Sequence, residues 1–128
     1  MKVILFVWCF LIFINGSGQP GDRSMNFPKQ TEMAKEPKNK KKVWVFILAG
    51  QSNMAGRGLI EPEDTLGEKR LLTLDKKGQL ILAKEPLHFY EPNLAGLDCG
   101  YSFGTTILKN VPADISVLLI PTAVGGSS

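Results

Sequence analysis

The chain has 128 residues, 44% of them hydrophobic, with a formal net charge of +3, a length that suits about one domain. The basic excess lies in residues 1–42, which carry eight Lys/Arg and three Asp/Glu; residues 43–128 carry seven and nine. The second part therefore exerts no general pull on phosphates, which excludes nucleic acid as its partner.

Residues 1–18 read as a signal peptide. Met1-Lys2 is a short basic start, residues 3–14 are an unbroken apolar run, VILFVWCFLIFI, and small residues follow. Twelve apolar residues fall short of the about 20 that a spanning helix needs, although an uncleaved anchor is the alternative. The mature protein is expected to be secreted, extracellular or periplasmic, with no stable membrane association once the leader is removed. Residues 19–42, rich in proline and poor in large apolar groups, read as a flexible basic linker. Its Lys40-Lys41-Lys42 end suits a solvated boundary better than a nucleic-acid patch.

Val43–Leu48, VWVFIL, is β-branched and aromatic with no polar alternation, as a strand buried on both faces reads. Gly50 closes it. Residues 71–74 and 79–82 predict a surface hairpin around Asp75-Lys76-Lys77-Gly78, with Gly78 at the positive-φ position. Residues 84–93 punctuate a surface loop. Residues 102–109 predict a short helix with Phe103, Ile107 and Leu108 on one face and Gly104 allowing close packing. Residues 115–120, ISVLLI, are a second continuous apolar strand that Pro121 ends, and residues 122–128 form a glycine-rich loop. Two strands joined through a helix make a right-handed parallel unit, so the fold class is α/β. Ligands of such sheets bind beyond the carboxyl ends of the strands. The loops at residues 50–58 and 125–128 both lie there, and they share a crevice if the strands are neighbours.

Chemistry concentrates in ILAGQSNMAGRG, residues 47–58. A serine held just past a buried strand can be a nucleophile once a base takes its proton. Backbone N–H groups beside it can stabilise an oxyanion, and glycines such as Gly125 and Gly126 let the main chain approach a substrate closely. The bland reading is a turn serine, since serine is common in turns. Other motifs fit worse. Met54 stands where the hydrolase elbow G-x-S-x-G needs glycine, and the spacing from Gly50 to Gly56 is one residue too long for a P-loop. With Cys9 lost in the leader, one cysteine and one histidine cannot fill a tetrahedral zinc site. Cys9 leaves with the leader, so Cys99 has no disulfide partner and reads as a small buried apolar residue.

This stretch resembles the signature of the sialate O-acetylesterase and plant acetylxylan esterase family, a branch of the SGNH hydrolases. The resemblance continues through Leu74-Asp75-Lys76, residues 83–87, Gly100-Tyr101-Ser102-Phe103 and residues 120–127, and covers residues 43–128. It implies a three-layer α/β/α sandwich around a flavodoxin-like parallel sheet. It implies removal of acetyl groups from carbohydrates through an acyl-enzyme on Ser52, with the N–H groups of Ser52, Gly125 and Gly126 lining the oxyanion hole. Gln51 and Asn53 would brace the loop. No metal or organic cofactor is implied, and the partner is an acetylated carbohydrate.

The family's base and its orienter come from an Asp-x-x-His, which residues 1–128 do not contain. His88 lies far upstream of that position and reads as a surface-loop residue or a contact on the substrate side, outside the triad. Two buried strands and one helix cannot cover both faces of a parallel sheet. The reading is therefore a truncated esterase domain, with apolar faces and unpaired edges expected at both strands. A non-catalytic carbohydrate-binding or interaction module on the same scaffold is the alternative.

Overall fold

A computed structural model describes residues 22–127; the expected leader lies outside them. In chain order the elements are β1 (Val43–Leu48), a one-turn helix α1 (Ser52–Ala55), β2 (Leu71–Leu74), β3 (Leu80–Leu82), α2 (Gly100–Lys109) and β4 (Ser116–Pro121). Short 3-10 turns stand at Lys40–Lys42 and Pro62–Thr65.

The four strands form one sheet in the order β1-β4-β2-β3. β1 and β4 are parallel neighbours from Val43 opposite Ser116 to Leu48 opposite Pro121. β2 pairs parallel with the other side of β4, and β3 pairs antiparallel with β2. The hairpin expected at the surface is thus built into the sheet, which becomes mixed. Its turn forms as expected: Gly78 has φ 76°, and Asp75 Oδ1 accepts from the N–H groups of Lys77 and Gln79, both at 2.8 Å. Burial explains why β2 moves inward, since Leu71, Leu72 and Thr73 are all buried.

β4 extends one residue further than expected and includes Pro121. Alternate residues of β4 bond to opposite neighbours: Val117 N–H donates to Arg70 on the β2 side, Thr122 N–H to Leu48 on the β1 side. The N–H that Pro121 lacks would point toward β2, past the last paired residue, Leu119. No ladder bond is lost, so the proline is tolerated.

The core lies on one sheet face. Leu48, Leu71, Ala83, Leu87, Leu108 and Leu119 pack there with Val117. α2 begins two residues earlier than expected, at Gly100, and lies across β2 and β4. Gly104 sets the approach: a Cβ there would come within 2.5 Å of Leu71 Cδ1 and 3.2 Å of Leu119 Cδ1. Phe103 meets Phe46 edge to face at 5.0 Å. Arg70 closes the other end of α2, donating to the carbonyls of Leu108 and Ile115, both at 3.1 Å.

The opposite face is thinly covered. Val45 is 54% and Ile47 67% exposed, and among the described residues β1 pairs on one side only. This matches the bare face and unpaired edge expected of β1, whereas β4 is paired on both sides and leaves no edge unpaired. Residues 22–42 do not hang free. Leu82 N–H donates to Glu32, Ala34 N–H donates to Leu80, and Met33 bridges Ile81, so this stretch lies along the outer edge of β3. Lys42 pairs with Asp114 and Lys84 with Glu32. No helix among the described residues is long and apolar enough to cross a membrane.

Leu119 is fully buried between β1, β2 and α2. Leu119→Ala removes its packing and leaves a cavity, so it should destabilise the fold by about 2–5 kcal/mol. Urea unfolding followed by tryptophan fluorescence checks this; a loss under about 1 kcal/mol would contradict the core described here.

Candidate functional site

Leu48 is the last residue of β1, and its carbonyl holds the next turn of chain. It accepts from Thr122 N–H at 3.0 Å and from Thr122 Oγ1 at 3.2 Å. Val124 N–H then reaches Gly50 O at 3.3 Å. The two loops singled out in the sequence therefore leave the sheet at the same end and are stitched together. Ser52 opens α1, and Gln51 is its extended N-cap residue, whose carbonyl accepts from the N–H groups of Met54 and Ala55. Ser52 is half-buried, while Gln51 and Asn53 are exposed. Gly126 is exposed too, with φ 74° and open space where a Cβ would stand.

The tail of the Ser52 loop is strapped down by a segment that local pattern does not reveal. Gly58 and Leu97 exchange backbone hydrogen bonds at 3.2 and 3.0 Å. Gly56 has φ 78°, and a Cβ there would lie 2.3 Å from the Gly96 carbonyl. Only glycine satisfies both demands, the left-handed backbone and the close crossing. Below this crossing, Ala55, Ala95 and Ala123 are buried with His88. Small side chains let the two loops and the segment at residues 88–98 close on one another.

His88 corrects the expectation of a surface-loop or substrate-side residue. It is 3% exposed, its Nδ1 is 2.7 Å from Asp98 Oδ2, and its Nε2 faces Leu48 O at 3.5 Å. Both ring nitrogens are turned toward the scaffold and neither is offered to Ser52. Asp98 Oδ1 also accepts the Gly100 N–H at 2.5 Å, so the buried carboxylate ties His88 to the start of α2. Glu85, fully buried, completes the cluster, with Oε2 accepting from Leu87 N–H at 3.2 Å and Oε1 without a hydrogen-bond partner among the described residues. Burial, followed by the charge of Asp98, pushes the Glu85 carboxyl up to about 9. It is therefore a neutral acid at ordinary pH. Cys99 is a second correction: it is exposed rather than buried, because it stands at the N-cap of α2, with Sγ 3.7 Å from Met54 Sδ.

Two further charged residues enter the site. Arg57 Nη2 donates to Glu91 Oε2 at 2.8 Å, and that oxygen also accepts the Gly125 N–H at 2.5 Å. The glycine pair assigned to the oxyanion hole is thus divided: the amide of Gly125 is engaged by a carboxylate, and that of Gly126 has no acceptor among the described residues. Arg57 lay inside the quoted motif, and its charge was the available signal. Glu91 carried none, since a Glu-Pro step in a loop reads as punctuation. Among the described residues no three His, Cys, Asp or Glu side chains converge as metal ligands.

Comparison with known proteins bears on this arrangement. The family model described as carbohydrate esterase, sialic acid-specific acetylesterase, matches residues 42–128. A probable carbohydrate esterase of Arabidopsis thaliana is 31% identical over 101 residues, covering 66% of this chain and 39% of the plant protein. The crystal structure of that plant protein at 1.6 Å superposes with a TM-score of 0.59 and 27% identity, over 68% of this chain and 42% of the other. The chain thus spans about two-fifths of the length of the relative it matches.

The buried cluster has a measurable consequence. Folded Glu85 keeps its proton up to about pH 9, whereas the unfolded chain releases it near its ordinary value of 4.5. The stability this group contributes is complete below about pH 4.5 and is lost as pH rises toward 9. Glu85→Gln keeps the shape and a hydrogen-bond donor but cannot ionise. Its urea midpoint should equal that of the wild type near pH 4.5 and exceed it progressively above; a gap that does not change with pH would refute a buried neutral acid.

Proposed function

This chain belongs to the sialic acid-specific acetylesterase family of carbohydrate esterases, and from that premise we propose that Ser52 is the nucleophile of an O-deacetylation reaction on carbohydrates. The single observation that supports this most is the stitching of the Ser52 loop to the glycine-rich loop at the shared carboxyl end of β1 and β4. A half-buried hydroxyl at a strand end is held in place but remains accessible.

In the first step Ser52 Oγ adds to the acetyl carbonyl carbon and gives up its proton. The carbonyl π pair moves to oxygen, and the resulting anion is stabilised by the Ser52 N–H and the open Gly126 N–H. Each such donor contributes roughly 3–4 kcal/mol to the transition state. Collapse expels the sugar oxygen, which takes a proton and leaves as the free hydroxyl. Water then attacks the acetyl-serine, releasing acetate and restoring the hydroxyl. The proton transfers need a base. His88 is committed to Asp98 and the Leu48 carbonyl, and the family resemblance assigns that role to an Asp-x-x-His outside residues 1–128. The chain contributes the nucleophile and part of the oxyanion hole.

The reaction is tested by acetate release from O-acetylated sialic acid, acetylated xylan and 4-nitrophenyl acetate by a full-length parent protein that carries the family's Asp-x-x-His, because residues 1–128 without that base should show little turnover. Ser52→Ala should lower turnover by at least about a thousandfold. Undiminished turnover in the variant removes Ser52 from the mechanism and favours a carbohydrate-binding role for the scaffold.

The leader read in residues 1–18 supports a secreted protein. Expression in a secretory host should yield a mature N-terminus close to residue 19 by mass spectrometry; retention of residues 1–18 on a membrane-bound product would contradict it.

A further inference from the structure

Glu91 joins two loops that are distant in sequence. It stands 34 residues from Arg57 and 34 from Gly125, and one of its oxygens accepts from both. Arg57 is in turn folded back on the Ser52 loop, with Nη1 donating to the Gly56 carbonyl at 2.9 Å. The backbone of Glu91 is held as well, its carbonyl accepting from Leu94 N–H at 2.9 Å and Ala95 N–H at 2.8 Å. The carboxylate is therefore anchored from behind and bonded in front, with about a fifth of its side chain exposed.

Position 125 is shaped for this bridge. A Cβ there would lie 2.2 Å from Arg57 Nη2 and 2.8 and 2.9 Å from the two Glu91 oxygens. Gly126 meets no such crowding. An amide N–H has one hydrogen to donate, so the Gly125 amide is unavailable to a reaction intermediate while Glu91 holds it. A bare carboxylate beside an oxyanion would also repel it. Arg57 compensates that charge, which makes the clamp compatible with a neighbouring anion. The Gly125 N–H, followed by Arg57, holds the Glu91 carboxyl below its ordinary value, so the clamp stays ionised at neutral pH.

We propose that Glu91 is a positioning residue: with Arg57 it clamps Gly125 to the Ser52 loop, and so presents Gly126 N–H as the glycine loop's oxyanion donor. This inference rests on the reading of Ser52 as nucleophile. Glu91 touches neither substrate nor nucleophile and acts through the geometry of the corner.

Two measurements on the 128-residue chain test it. The first is amide hydrogen exchange at Gly125 and Gly126 by NMR. Gly125 should be protected in the wild type and exchange at least about tenfold faster in Glu91→Ala, while Gly126 exchanges fast in both. The second is covalent capture of Ser52 by a fluorophosphonate, whose phosphoryl oxygen occupies the oxyanion position, with imidazole in the buffer as the external base that residues 1–128 do not supply. The capture rate should fall at least about tenfold in Glu91→Ala, with partial recovery in Glu91→Gln, which keeps an acceptor but not the charge. Urea unfolding of each variant separates this loss from a change in fold, and the Glu91→Gln recovery should not follow stability. Unchanged Gly125 exchange in Glu91→Ala overturns the clamp. Unchanged or faster capture in Glu91→Ala, with Ser52 still the labelled residue, overturns the positioning role alone, and faster capture would mean the carboxylate blocks the site. Absence of label on wild-type Ser52 overturns the nucleophile reading, and the positioning role with it.

Discussion

The parallel register of β1 and β4 sets Leu48 opposite Pro121, so both chains leave the sheet side by side in the same direction. Every feature of the site follows from that placement. The Leu48 carbonyl, the last of β1, accepts from Thr122 and faces His88, making one backbone oxygen the junction of three segments. An antiparallel pairing of the same strands would have sent the two loops to opposite ends. The Ser52 loop and the glycine-rich loop could then not have been stitched together.

Close approach is the means by which short loops become a rigid corner. Gly56 crosses under the Gly96 carbonyl, Gly125 admits the Arg57–Glu91 bridge, and Gly104 lets α2 settle onto Leu71 and Leu119. Each removes a Cβ that would hold two backbones apart. The buried alanines at positions 55, 95 and 123 continue the same device between the loops.

Beneath the corner, charge is managed rather than avoided. The two oxygens of buried Asp98 are held by His88 and the Gly100 amide. A second carboxylate beside it would add repulsion to the cost of desolvation, and Glu85 accordingly keeps its proton. The arrangement commits the chain's single histidine to support. Its two ring nitrogens face Asp98 and the Leu48 carbonyl.

Much of the sheet was legible in the residues. Apolar runs rich in β-branched residues at 43–48 and 115–120, with glycine-bearing loops after them, mark the two strands, and the Asp75–Gly78 turn and the small position at Gly104 are equally local. The motif around Ser52, carried by a resemblance, was also readable in the chain, as was the absence of an Asp-x-x-His. What no local pattern encodes is which distant groups meet. The insertion of β2 beside β4, the burial of His88 against Asp98, the exposure of Cys99 and the grip of Glu91 on Gly125 all join residues through packing. Periodicity reports which side of an element is apolar, and spacing reports where a turn is cheap. Neither carries the three-dimensional distances that decide whether a charged side chain finds a partner or an amide stays open, so those were settled only when the sheet and its loops closed on one another.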